Sequence, residues 1–530
     1  MKPYLLTLLS AALLVSLVSC HRPDDDDDNV PAPISSPLSF TISADSVRLN
    51  PLGYTPLAAS LRFTTPRVGR TFIRVRGKHG AITNVEHLFN DGGLSHNVPV
   101  VGLYANFANT VDVRLVGERG DTLATSSVTI QTGDLPPNMP VTITAAPFSE
   151  ANVAPGLILV SSYSTLGTGS PFTPYFMDAY GEVRWVLDYR GHPQLGALNF
   201  EDGVDRLTNG NLFFGNSNTS AIYEVNLLGQ VLHSWPLPGY LFHHNVIEKP
   251  DGNFLLTATK PGSTKTDGTP TIEDYVIEID RTDGHLRAEW DLKQSLNEYR
   301  TALYSAASDW FHGNSVGYDP SDNTIIVSGR HQGLVKLDYA NRVKWIMGAH
   351  RGWGTNRRGE DLSHFLLTPL DAKGQAIADT AVVNGSQIAP DFEWNWFQHS
   401  NIALPNGDLM VFDNGDIREY TPGAPKYSRA VSYRIDPVRM TVRQTWAYGK
   451  DRGTATYSQI VSSVQWLPES GHVVFSPGYQ VPNADGKGGK VVEINPVTQQ
   501  VVSEISVSSA NGWGFHRARK MSAYPANPAF

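Results

Sequence analysis

Cysteine is nearly absent: Cys20 is the only one in 530 residues. No disulfide can form within one mature chain, so packing and hydrogen bonds must hold the fold together. Extended helical spacing of apolar residues is also missing, which argues against a helical bundle. Basic residues are not gathered into any stripe, and 42 Lys and Arg against 51 Asp and Glu leave a net charge of -9. That balance excludes a phosphate-binding surface and argues against nucleic acid as a partner. The one marked apolar run, from Leu5 to Val18, is too short and wrongly flanked for a membrane span.

That run is instead read as a targeting segment. Lys2 gives a positive start, and Leu17-Val18-Ser19-Cys20 closes it. The last four residues resemble a bacterial lipobox, in which the Cys is lipidated and becomes the new N-terminus. Residues 1–19 are therefore expected to be a lipoprotein signal peptide. The protein is expected to be lipid-anchored in the cell envelope, on the periplasmic face or the surface of the outer membrane. Residues 20–34 include Asp24 to Asp28, a run of carboxylates that repel one another and stay solvated. They read as a flexible acidic tether.

What is abundant is β signal. Hydrophobic residues make up 41% of the chain, and 47 Gly and 35 Pro punctuate it with turns. Residues 35–135 alternate with period two, as in Thr71-Phe72-Ile73-Arg74-Val75-Arg76, and predict an antiparallel β-sandwich. Such a domain ahead of a larger one offers a surface for homodimerisation. Residues 142–530 carry a repeat that begins with an Asn-Gly or Asp-Gly turn and an apolar strand. A second strand follows, then a third that often ends in Trp. The closing residues are Trp185, Trp235, Trp290, Trp345 and Trp446, with Ile505 in the sixth copy. Six copies predict a six-bladed β-propeller, and the recurring Trp reads as inter-blade packing. The long interval between Trp345 and Trp446 predicts an inserted loop or lid. The chain is thus expected to be all-β, a sandwich followed by a propeller.

Histidines recur at the start of the repeat unit: His243-His244-Asn245, His312-Gly313-Asn314 and His399-Ser400-Asn401. Equivalent repeat positions lie at equivalent radii, so these side chains are expected to converge on an axial pocket, joined by Arg330. Counting back from the turn Gly selects His244 of the first pair, which is preferred; matching the His-x-Asn pattern selects His243. No Cys or tight carboxylate cluster points to a bound metal.

Several longer motifs carry a resemblance. They include Asp309-Trp310-Phe311-His312-Gly313-Asn314, Asp391-Phe392-Glu393-Trp394-Asn395-Trp396-Phe397-Gln398-His399, Val411-Phe412-Asp413-Asn414-Gly415-Asp416, Tyr427-Ser428-Arg429 and Tyr457-Ser458. Together they resemble the bacterial aryl-sulfate sulfotransferases. The resemblance implies an enzyme with no cofactor and no nucleotide sulfate donor. It implies an aryl sulfate donor and a phenolic acceptor, and transfer by a ping-pong route through a sulfo-histidine. His399 matches the nucleophile. His312, Asn314 and Arg330 would surround the sulfate oxygens. His243 and His244 would supply acid and base, with Tyr427, Arg429 and Tyr457 expected at the substrate. Some family members carry a disulfide before the nucleophile, and this chain has none in its loop Val383-Asn384-Gly385-Ser386-Gln387. Two other readings stand beside this one: a non-catalytic propeller binding sulfated or aromatic ligands, and an aryl sulfatase-like hydrolase.

Overall fold

The computed structural model describes residues 37–525, except 138, 140, 162–172, 197, 199–202, 301–305, 422 and 511. The expected signal peptide, Cys20 and most of the acidic tether lie outside the described residues. Among the described residues no helix is long and apolar enough to cross a membrane.

The N-terminal sandwich is organised by one long strand, Ala59–Val75. Its first part pairs with Val47–Leu49 and Gly93–Val100, its second with Val85–Leu88 and Ala108–Val116. The register shifts between Thr64 and Gly69, where the exposed stretch Pro66-Arg67-Val68 interrupts the pairing. Pro66 has no N–H for a ladder, so the strand turns there from one sheet to the other.

Six further sheets form the propeller blades. In blade 2 the strands run Asp205–Arg206, Leu212–Asn216, Ala221–Val225 and Val231–Pro236 from hub to rim. Blades 3 and 4 repeat this pattern. The ring is closed from both ends of the chain. The C-terminal strand Arg517–Met521 is the innermost strand of blade 1, and Val141–Ala145, just after the sandwich, is the outermost strand of blade 6.

The recurring Trp residues are inter-blade staples. Trp185 Nε1 donates to Leu227 O (2.8 Å), Trp235 to Arg281 O (2.8 Å), Trp290 to Asp338 O (2.8 Å) and Trp446 to Pro496 O (3.0 Å). Each acceptor lies at the turn before the rim strand of the next blade, so the indole buries its rings and satisfies its N–H at one seam. Trp345 packs at the seam between blades 4 and 5 with Leu367 and Val442.

The long interval before Trp446 is not a free lid. Its Trp353, Leu362 and Leu366 enter one core cluster; Leu367, Val382 and Phe392 enter another. Thr368–Leu370 adds a parallel fifth strand to blade 5 beside Thr441–Tyr448. The insertion braces two blades because its apolar side chains have a seam to fill.

The sandwich is locked to blade 1 by Arg184, which is fully buried and donates to Gly102 O, Thr83 O and Asp178. Tyr524, after the closing strand, accepts from Val101 N (2.7 Å) and donates to Pro99 O (3.0 Å).

The fully buried Trp290 offers a test of the staple. Trp290→Ala is expected to cost about 3–5 kcal/mol in chemical denaturation. Trp290→Phe, which keeps bulk and loses the hydrogen bond, should cost much less.

Candidate active site

Three consecutive innermost strands deliver the histidines, and each is irregular where it does so. The pairing slips between Phe242 and Val246 in blade 3, Gly313 and Ser315 in blade 4, and His399 and Ile402 in blade 5. A bulge lets successive side chains leave the usual alternation, so His243 and His244 stand side by side with ring centroids 4.0 Å apart. His244, His312 and Ser400 have φ of 56°, 55° and 54°, the left-handed region that side chains with a Cβ adopt only at a cost of about 1–3 kcal/mol. Asparagine and serine side chains join these strands across blades. Asn245 Oδ1 accepts from Val316 N (2.9 Å), Asn314 Nδ2 donates to Gln398 O (2.8 Å), and Ser315 donates to Asn401.

The imidazoles form one connected cluster. His244 Nε2 lies 3.3 Å from His312 Nε2, and its Nδ1 lies 3.2 Å from His516 Nε2. The His244 and His399 rings are 5.8 Å apart, nearly perpendicular. His312 Nδ1 bonds Asp309 Oδ2 (2.9 Å) and lies 2.7 Å from Glu273 Oε2. Glu273 Oε2 is also 3.0 Å from His243 Nε2. His331 stands 3.5 Å from Asp309. His399 Nδ1 faces Asn414 Oδ1 (2.7 Å) and Phe397 O (3.1 Å). Arg330 is held by its backbone to His312 O (3.0 Å), with its guanidinium 5.0 Å from the Phe397 ring centre. No carboxylate of the described residues ion-pairs with it, and its Nε has no partner.

Environment sets these rings apart. Burial, reinforced by the nearby Arg330 charge, keeps the His399 imidazole far below its usual range. Burial and the neighbouring His243, His312 and His399 do the same to His244. Burial opposes charge on His312 too, but Asp309 and Glu273 outweigh it and lift its pKa to about 9. Both carboxyls, although buried, are held well below their usual range, Asp309 by His312 and His331 and Glu273 by His243 and His312. At neutral pH His312 is therefore an imidazolium, His244 and His399 are neutral, and Arg330 keeps its charge beside them.

With this geometry in view, residues 144–516 match the arylsulfotransferase family and residues 46–133 its Ig-like domain. The chain belongs to the arylsulfotransferase family. It is 30% identical, over 573 aligned positions, to the arylsulfate sulfotransferase AssT of Escherichia coli O6:H1 (strain CFT073), covering 90% of this chain and 92% of that one. To AssT of Lelliottia amnigena it is 29% identical, covering 88% and 90%. Among solved structures, a putative 6-phosphogluconolactonase from Bacteroides uniformis gives a TM-score of 0.34 at 9% identity, over 83% of this chain and 99% of that one.

Within this arylsulfotransferase, His243, His244, His312, Arg330 and His399 gather at the hub. His244 lies closest to the His399 side, and His243 stands behind it against Glu273. Three residues expected at the substrate already have partners within the protein, although Asn314 Oδ1 has none. Asn314 is buried and spends its amide N–H on Gln398 O, which ties two blades together. Arg429 is buried on Asp413, Glu393 and Trp394 O, and Tyr427 donates to Glu393 (2.8 Å). Both belong to an ion-pair cluster with Arg418. A guanidinium at an isolated sequence position cannot reveal that two buried carboxylates already claim it. Tyr457 donates to Asp416 (2.9 Å), near enough to Arg330 for both to bear on its charge.

The sequence reading missed Glu273, His331, His516, Asp309 and Asn414 as site groups. Asp309 and Asn414 sat within quoted motifs and His331 directly follows Arg330, so their position was visible but not their role. His516 had a usable signal: it precedes the strand that must supply the first blade's missing inner edge. Glu273 lies in a connecting loop with no pattern to mark it. The loop lacking the family disulfide is held by backbone bonds, with Ser386 N to Ala381 O (2.8 Å) and His350 N to Val383 O (3.0 Å), and by Trp394 Nε1 to Val382 O (3.0 Å). Gly385 is required there: its φ is 78°, and a Cβ would meet Ala349 Cβ at 2.6 Å.

Donor atoms of His243, His244 and His312 lie within 4.8 Å of one another, as do those of Asp309, His312 and His331. Both are spacings that a divalent transition ion can span. Here His312 is hydrogen-bonded to both His244 and Asp309.

The His312 ring, followed by NMR, is expected to titrate near pH 9, and Glu273→Gln should move that midpoint down toward the ordinary value. Its charged form is stabilised in the folded state. That stabilisation is complete below about pH 6.5, the unfolded value, and is lost as pH rises through about 9.

Proposed function

We propose that this protein moves a sulfuryl group from an aryl sulfate ester to a phenolic acceptor by a ping-pong route through sulfo-His399. The observation that carries this reading is a buried neutral imidazole beside a guanidinium that no carboxylate of the described residues claims. A neutral His is a nucleophile, and an unpaired Arg in a buried site is suited to an anion. The two relatives named arylsulfate sulfotransferase support the substrate class.

His399 attacks sulfur, the N–S bond forms and the aryl S–O bond breaks. Arg330 stabilises charge on the equatorial oxygens as it spreads there. The leaving phenoxide takes a proton from the His312 imidazolium, directly or across His244, whose Nε2 it faces. In the second half a phenol gives its proton back to this pair as its oxygen attacks sulfur. The N–S bond breaks and neutral His399 returns. Covalent catalysis divides one hard transfer into two with the same charge-stabilising groups in place. The lipobox at Leu17-Val18-Ser19-Cys20 and the acidic run after it support anchoring of this activity in the cell envelope.

A two-substrate assay tests the reading. Phenol release from an aryl sulfate should require a second phenol. Release in water alone would mean hydrolysis, and no release would mean a binding module. His399→Ala is expected to abolish transfer and the acid-labile sulfuryl mass on the protein. Arg330→Ala should lower kcat by about 10²–10³ in a folded propeller.

A further inference from the structure

We infer that Asn414 and the turn at residues 458–462 fix which nitrogen of His399 is free to react. This rests on the reading of His399 as nucleophile and adds a positioning residue from outside the histidine cluster.

The amide of Asn414 can be oriented without ambiguity. Its Nδ2 lies 2.8 Å from Ser458 O and 3.1 Å from Val461 O. Two carbonyl oxygens can only accept, so the NH2 end must face them and Oδ1 must face His399. Oδ1 in turn only accepts, and it is 2.7 Å from His399 Nδ1. Phe397 O, a second pure acceptor, is 3.1 Å from the same nitrogen. Nδ1 therefore carries the hydrogen, and Nε2 holds the lone pair. A histidine side chain in water favours the opposite arrangement, with the hydrogen on Nε2, which would leave the reactive nitrogen blocked. The partner of one ring nitrogen sets the state of the other.

The clamp itself is a built feature. Val461 and Ser462 have φ of 51° and 88°; for a β-branched residue that is a genuine outlier. The unusual backbone is locked by Ser462 N to His516 O (3.0 Å), while Ser458 N is held by Ser428 Oγ (2.9 Å), which donates to Asn414 O (2.8 Å). Asn414, Ser458 and Ser428 are wholly buried. Strain of this kind persists where surrounding contacts overdetermine it. Here it turns the Val461 carbonyl onto the Asn414 amide. Asn414 leaves the end of a blade 5 strand, and the turn enters blade 6, so a blade without a histidine in the cluster controls the nucleophile.

The ionisable groups whose charge bears most on His399 are Arg330 and His312, with His244 in ring contact. None is a carboxylate. Asn414→Asp would thus place the first negative charge on the ring. It would favour the imidazolium, raise the His399 pKa and move the low-pH limb of the rate profile to higher pH.

Nitrogen-15 NMR of the full chain with labelled histidine, assigned through His399→Gln, reads the tautomer without activity. Wild type should show His399 protonated at Nδ1 and bare at Nε2. Asn414→Ala should shift it toward the Nε2-protonated form and cut kcat by about 10- to 100-fold, with KM for the aryl sulfate nearly unchanged. Asn414→Asp, nearly isosteric, supplies the pH shift if the alanine variant folds poorly. An Nε2-protonated ring in wild type, or an unmoved tautomer in Asn414→Ala and an unmoved profile in Asn414→Asp, overturns the inference. Loss of the sulfo-histidine reading in the two-substrate assay would leave the tautomer result standing, so the two failures are distinguishable.

Discussion

The hub of a propeller is crowded with strand edges, and this one works because those edges are joined by side chains where backbone pairing gives out. The inner strands of blades 3, 4 and 5 each slip register at the residue that faces the axis. That slip frees imidazoles to point together, and it also interrupts ladder hydrogen bonds. Asn245, Asn314, Ser315 and Asn401 replace them across the seams. These bonds satisfy the seam amides and hydroxyls, while Arg330 Nε and Asn314 Oδ1 stay buried without a hydrogen-bond partner, and the left-handed residues beside them are tolerated because both neighbours hold them.

A second constraint is electrostatic. Six histidines share a small volume with one unpaired arginine, and were several of them charged the cluster would repel itself. The carboxylates resolve this by standing on one side only. Asp309 and Glu273 sit behind His312 and stabilise its charge, whereas His399 meets a carboxamide and a carbonyl. The same residue type is therefore held charged at one position and neutral at another. What differs is the partner behind each ring.

Much of this was legible in the chain. Period-two alternation announced the sandwich. The six turn-strand units gave the blades, and the spaced Trp residues gave the seams, because each is a one-dimensional pattern. Convergence of His244, His312 and His399 followed from repeat position. The partners of Arg429 and Tyr427 were not legible: Glu393 lies 36 and 34 positions away, and Asp413 lies 16 from Arg429, distances that no local pattern encodes. The insertion before His399 looked like a lid by length, but its buried Trp353, Leu362 and Val382 have a seam to fill. Hub bulges are equally invisible in sequence, since one extra residue in a strand leaves no compositional trace.

The closing strand Arg517–Met521 carries a consequence for biosynthesis. His516, at its threshold, touches His244 and, through its carbonyl, Ser462. A chain still emerging from the ribosome lacks this element, so its histidines cannot yet adopt their final partners. The histidine cluster is complete only when this strand has been made and has closed the ring. A chain that stopped before His516 would keep the other five histidines of the cluster and lose both the closing strand and the contact to His244.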